Sequence, residues 1–174
     1  MSGWGEVVSC MPMTISIMPG LYRTTRPLVG HEEQFPANVL VYVGNRNDGG
    51  RFVVRPGRNT KNRWFWGDPV TPLEDATWAA TLYALPREGF YTLPEPLEFE
   101  AGGRWPTNAI VQLGYDGLGR AILFVAEDRE DEARNVLEFA TVGQRIEDTL
   151  LKRLVWAPIL PVPASPVSPR GFLN

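Results

Sequence analysis

The clearest patterning in the chain lies in two pairs of apolar runs, each pair joined by a polar, glycine-rich connector. In the first pair, residues 38–44 (NVLVYVG) form a nearly continuous β-branched and aromatic run. Such a run predicts a strand buried on both faces, and hence a central one. Asn45-Arg46-Asn47-Asp48-Gly49-Gly50 follows as a turn, because Asn, Asp and Gly tolerate positive φ. Residues 51–55 return as the hairpin partner, with Arg51 and Arg55 on an outer face around Phe52, Val53 and Val54. The second pair, AIVQLGY at 109–115 and RAILFVA at 120–126, is joined by Asp116-Gly117-Leu118-Gly119 and predicts a second hairpin.

Weaker patterns fill in the remainder. Met13, Ile15 and Ile17 alternate with Thr14 and Ser16, which suggests a strand. Residues 21–28 suggest another that ends at Pro27, and Trp64-Phe65-Trp66 begins a third. Asp75 can cap a helix over 75–84, where Trp78, Leu82 and Leu85 recur at helical spacing until Pro86 stops it. Residues 90–99 contain Pro94 and Pro96, so they read as an edge strand at best. Residues 136–141 suggest a further strand. A short helix is expected over 148–155, with Asp148 as its cap.

Beyond residue 157 the pattern dissolves. Pro158, Pro161, Pro163, Pro166 and Pro169 stud the tail, a density that favours polyproline II and cannot build a core. Its P-x-x-P spacings suit an aromatic groove on a partner. Three parts are expected: an N-terminal segment (1–20), a globular β-rich domain (21–157) and a Pro-rich tail (158–174). The predicted fold is mainly β, a single domain of short antiparallel strands in a barrel or strongly curved sheet, with one or two short helices.

Composition agrees with this picture. A chain of 174 residues with 44% apolar and 21% charged side chains can build a core without disulfides or metal. Its 17 glycines and 16 prolines favour short strands and turns over long helices. A net charge of −3 gives no global attraction to nucleic acid or anionic membrane. Lys61 and Lys152 are the only lysines among 17 basic residues, a bias that fits a GC-rich bacterial genome. Val7-Val8-Ser9-Cys10 resembles a lipoprotein cleavage box, yet an acid and no base precedes it. No run reaches the 18 or so apolar residues of a membrane span, so a cytoplasmic location is expected.

Candidate chemistry is sparse. Arg51, Arg55, Arg58, Lys61 and Arg63 run directly into Trp64, Phe65 and Trp66 with no acid among them. Guanidinium groups pair with phosphates and aromatic rings stack on unpaired bases, so this stretch could hold single-stranded nucleic acid. Trp and Arg are also the residues most enriched at protein interfaces. Because side chains alternate along a strand, at least one ring of the Trp-Phe-Trp run should point into the core.

His31, the sole histidine, precedes Glu32 and Glu33 in a polar connector with no nucleophile pattern. One histidine and one cysteine, Cys10, leave too few soft ligands for zinc. The acidic run 127–132 lacks the glycine and spacing of a calcium loop. Glycines 114, 117 and 119 follow the order of a hairpin turn, not of a dinucleotide fingerprint. Glu95, Glu98 and Glu100 supply the carboxylates that a hydrolase would need, without further support.

The expectation is therefore a non-catalytic interaction or assembly protein within a larger bacterial or phage complex, with a protein partner or a second copy of itself. Arg51, Arg55, Arg58, Lys61, Arg63, Trp64 and Trp66 are its candidate binding residues. A nucleic-acid-binding module using residues 51–66 is the alternative, and an Asp/Glu-dependent hydrolase the third reading. No cofactor, metal or catalytic residue is expected, and no membrane partner.

Overall fold

The computed structural model of the chain describes residues 16–60, 62–98, 103–127 and 138–158. The chain enters at β1 (Gly20–Arg23), continues to β2 (Leu40–Asn45) and turns back as β3 (Arg51–Val54). A two-stranded ribbon follows, β4 (Pro56–Asn59) and β5 (Trp64–Trp66). Next come β6 (Thr71–Pro72), helix α1 (Ala76–Ala79) and β7 (Tyr83–Ala84). The second half supplies β8 (Gly89–Thr92), a short ribbon of β9 (Leu97–Glu98) and β10 (Arg104–Trp105), and the hairpin β11 (Ile110–Tyr115) and β12 (Ala121–Glu127). It closes with β13 (Glu138–Phe139), β14 (Gln144–Arg145), α2 (Asp148–Leu151) and β15 (Val155–Trp156).

Apart from the two ribbons, these strands make two antiparallel sheets. The first runs β6-β3-β2-β1-β7; the second runs β13-β12-β11-β8-β15, with β14 also on β12. Both are open paths, so the mainly β fold takes the form of stacked sheets and no closed barrel forms among the described residues. As its nearly continuous apolar run predicts, β2 is buried on both faces and lies between β1 and β3. Val39, Val41 and Val43 enter one core with Phe35, Leu73 and Trp78 of the overlying loop and α1. Leu40 points the other way, into a second core with Val111, Leu113 and Leu123 of the second sheet. A Leu40 N–H to Gly117 C=O hydrogen bond of 3.0 Å ties the first sheet to the turn of the second hairpin.

The far face of the second sheet is concave. Phe90 of β8 and Phe139 of β13 have two strands between them, yet their ring centres lie 5.3 Å apart. On a flat sheet that separation would be roughly 14 Å, given about 4.8 Å between neighbouring strands.

Several local expectations are corrected. The helix expected over 75–84 is one turn long, Ala76–Ala79. Asp75 caps it as expected, its carboxylate accepting the Trp78 N–H at 2.8 Å. The β-branched Thr81 then turns its hydroxyl to the Trp78 carbonyl at 2.7 Å, and Tyr83–Ala84 pairs with β1 as strand β7. β8 is no edge: it lies between β11 and β15, because Pro94 and Pro96 fall after the strand ends. At α2 the cap position belongs to Glu147, and Asp148 instead forms an ion pair with Arg23. The strand proposed at 21–28 stops at Arg23. The strand expected near residues 13–17 lies mostly outside the described residues, as do most of the acidic run 127–132 and all but the first residue of the proline tail.

Candidate interaction surface

The basic-aromatic stretch divides in three. Arg51 and Arg55 do not lie on an open outer face, because the face they share with Val53 is the one that the loop and α1 cover. Arg51 donates its Nε–H to the Ile17 carbonyl at 2.9 Å, and Arg55 donates from Nη1 to the Gln34 carbonyl at 3.2 Å. Both guanidiniums thus tie connecting segments to the sheet. Lys61 lies outside the described residues.

Trp64 and Trp66 turn into the second core, where Trp66 meets Tyr42 with ring centres 5.3 Å apart. Phe65, between them, points to the opposite side of the ribbon. A bulge in β4 at Gly57 shifts the register, so that Arg58 and not Gly57 lies opposite Phe65. Arg58 and Arg63 are exposed, and their guanidinium carbons lie 4.8 and 5.3 Å from the centre of the Phe65 ring. Each contact is worth about 0.5–1 kcal/mol at an exposed site. The outcome is a half-buried ring with two exposed guanidiniums beside it, carried on a ribbon whose two tryptophans, also half-buried, pack against the second core.

The tip of the ribbon reaches the far face of the second sheet. Thr60 and Arg63 exchange backbone hydrogen bonds of 2.9 and 3.1 Å, and Asn62 adopts a positive φ of 56°. The Asn62 carboxamide lies flat on β11 at Gly114, where a Cβ would sit only 2.2 Å from its Oδ1. Between the tip and the sheet is a groove of ≈ 730 Å³, lined by Asn59, Asn62 and Trp64 from the ribbon and by Gln112, Phe124 and Phe139 among others from the sheet. Two N–H donors there, Asn62 Nδ2 and Trp64 Nε1, are shielded from water and have no hydrogen-bond partner. The sequence gives no sign of this groove, because Asn62 and Gly114 meet only through the fold.

Of the carboxylates named for a hydrolase, Glu95 and Glu98 face arginines. Arg153 holds Glu95 in a two-pronged pair at 2.5 and 2.7 Å, which keeps its carboxyl below the usual range. Glu98 lies 4.0 Å from Arg104, and Glu100 is outside the described residues. Glu88, which the sequence reading passed over, is pushed up to about 7 by burial, against the opposing pull of the Tyr115 backbone N–H. His31 is exposed in its connector. Among the described residues no group of three or more His, Cys, Asp or Glu side chains could hold a metal ion. Among them, too, no helix is long and apolar enough to cross a membrane. Comparison with protein-family models, with curated proteins and with solved structures gave no match.

Proposed function

We propose that this protein works by contact, as a non-catalytic component of a larger complex, and that the outward face of the β4–β5 ribbon receives a protein partner. One observation carries the reading: the exposed Arg58 and Arg63 lie over the half-buried Phe65 ring, on a ribbon whose Trp64 and Trp66 pack against the second core. A rigid aromatic flanked by guanidiniums is the composition of an interface anchor, and the two cations suit an acidic surface opposite. The hydrolase reading ranks last, because Glu95 is held by Arg153 and Glu98 lies near Arg104.

A photo-cross-linking side chain placed at position 65 tests the reading in the cells that make the protein. It should join the chain to one discrete protein species, Arg58→Glu should abolish that product, and the same probe at Val29, which is 81% exposed, should give none. Equal yields from positions 65 and 29, or yields indifferent to Arg58→Glu, would refute it.

Nucleic acid remains the second reading, because guanidiniums beside an aromatic ring also suit a phosphate-and-base strand. It ranks lower because the Phe65 ring already carries cations where a base would stack, and the net charge is −3. Anisotropy with a labelled single-stranded oligonucleotide separates the two. Binding that falls steeply with salt would favour the strand, and absence of binding at low salt would remove it.

A further inference from the structure

We infer that the groove between the ribbon tip and the concave face of the second sheet is a binding site for an uncharged, flat heterocyclic ring. This inference does not depend on what the outward face of the ribbon receives. At ≈ 730 Å³ the groove falls within the roughly 300–1,000 Å³ of small-molecule sites. Its walls have two kinds of surface. Trp64, Phe124 and Phe139 offer aromatic faces, and Asn59, Asn62 and Gln112 offer amides, each both donor and acceptor.

Charge is spent elsewhere. Asp116 borders the groove, but its Oδ1 accepts the backbone N–H groups of Leu118 and Arg120 at 3.0 Å each, and its Oδ2 accepts the Arg120 Nε–H at 2.8 Å. A carboxylate or phosphate would therefore find no free cation among the described lining residues. A neutral ring with acceptors and donors along its edge matches both kinds of wall.

The site is also incomplete as it stands. Asn62 Nδ2 and Trp64 Nε1 lack acceptors, and water does not reach them. Buried donors left this way are costly, so native folds rarely leave two together. An occupant that carries an acceptor would satisfy them once the Asn62 side chain turns from the seat on β11 that Gly114, lacking a side chain, leaves for it.

The test uses the full chain with ¹⁵N-labelled tryptophan, and reads the six indole N–H resonances while nicotinamide, adenine or uracil is added. Trp64→Phe assigns the Trp64 resonance. At least one ring should shift that resonance saturably and selectively, while benzoate, flat but anionic, should not. Asn62→Ala should weaken binding at least tenfold, and Gln112→Ala should weaken it without altering the other indole resonances, which reports an intact fold. No shift from any of the three rings at 5 mM would overturn the inference. So would equal response to benzoate, or affinity unchanged in both amide variants.

Discussion

Trp78 is buried in the first core and Trp64 packs half-buried against the second, and their indole N–H groups meet different fates. Trp78, 1% exposed beside Phe35 and α1, donates to the Arg26 carbonyl at 3.0 Å. Nearby, the buried Thr24 hydroxyl donates to Pro36 C=O at 2.7 Å and accepts the Val39 N–H at 3.0 Å. Arg55 Nε is the one orphan on that side, and its guanidinium is held from Nη1. Trp64 has no acceptor, and Asn62 beside it and Glu88, in the bend just before β8, each carry a buried polar atom without a partner. Folding alone accounts for the first region. In the second, Asn62 and Trp64 break local rules of polar satisfaction beside a groove and next to the Arg58-Phe65-Arg63 cluster, the kind of place where proteins give up stability for contact with something else.

The contrast can be broken experimentally, and the largest effect belongs to the satisfied side. Trp78→Ala should cost about 3–5 kcal/mol in urea unfolding, because it empties the space between α1 and β2 and orphans the Arg26 carbonyl. A loss under 1 kcal/mol would mean that the first core is not the stabilising one.

Glu88 sharpens the comparison through pH. Its folded-state pKa of about 7 lies above the ordinary carboxyl value of 4.5, so between those values the folded chain holds more protons than the unfolded one. Its contribution is fully present below pH 4.5 and is lost as pH rises through 7. The loss is at most about 3 kcal/mol. Glu88→Gln should flatten that part of the stability–pH curve, and an unchanged slope would place the carboxyl in water.

Gly119→Ala should cost about 1–2 kcal/mol, since its φ of +68° is left-handed and a Cβ would press to 3.1 Å from the Arg23 side chain. Smallest of all, breaking the exposed Glu95–Arg153 pair with Arg153→Ala should leave the unfolding midpoint unmoved.

How much of this was legible depended on distance along the chain. Both hairpins can be read because apolar runs and turn residues are local signals, and β2 and β11 lie where those signals put them. β8 is harder to read, because Pro94 and Pro96 lie just past its end and make the whole stretch look like an edge. The short α1 reflects competition from Thr81 and from pairing with β1, a tertiary contact. At the candidate surface, alternation rightly sent a tryptophan inward. Nothing local, however, reveals that Arg51 and Arg55 bond to the carbonyls of Ile17 and Gln34, 34 and 21 residues away. The bulge that sets Arg58 against Phe65 and the seat of Asn62 on Gly114 were equally out of reach, since each depends on register.

Paired urea midpoints of Trp78→Phe and Trp64→Phe, measured on the full chain without added ligand, probe the central claim most directly. Trp78→Phe should lose about 1–3 kcal/mol, because a satisfied hydrogen bond and packing volume go together. Trp64→Phe should stay within about 1 kcal/mol of the parent, because the donor it deletes bonds to nothing in the folded chain. A loss at Trp64 equal to that at Trp78 would mean that both indoles serve the fold alike, and would contradict the division between a stabilising side and a working side.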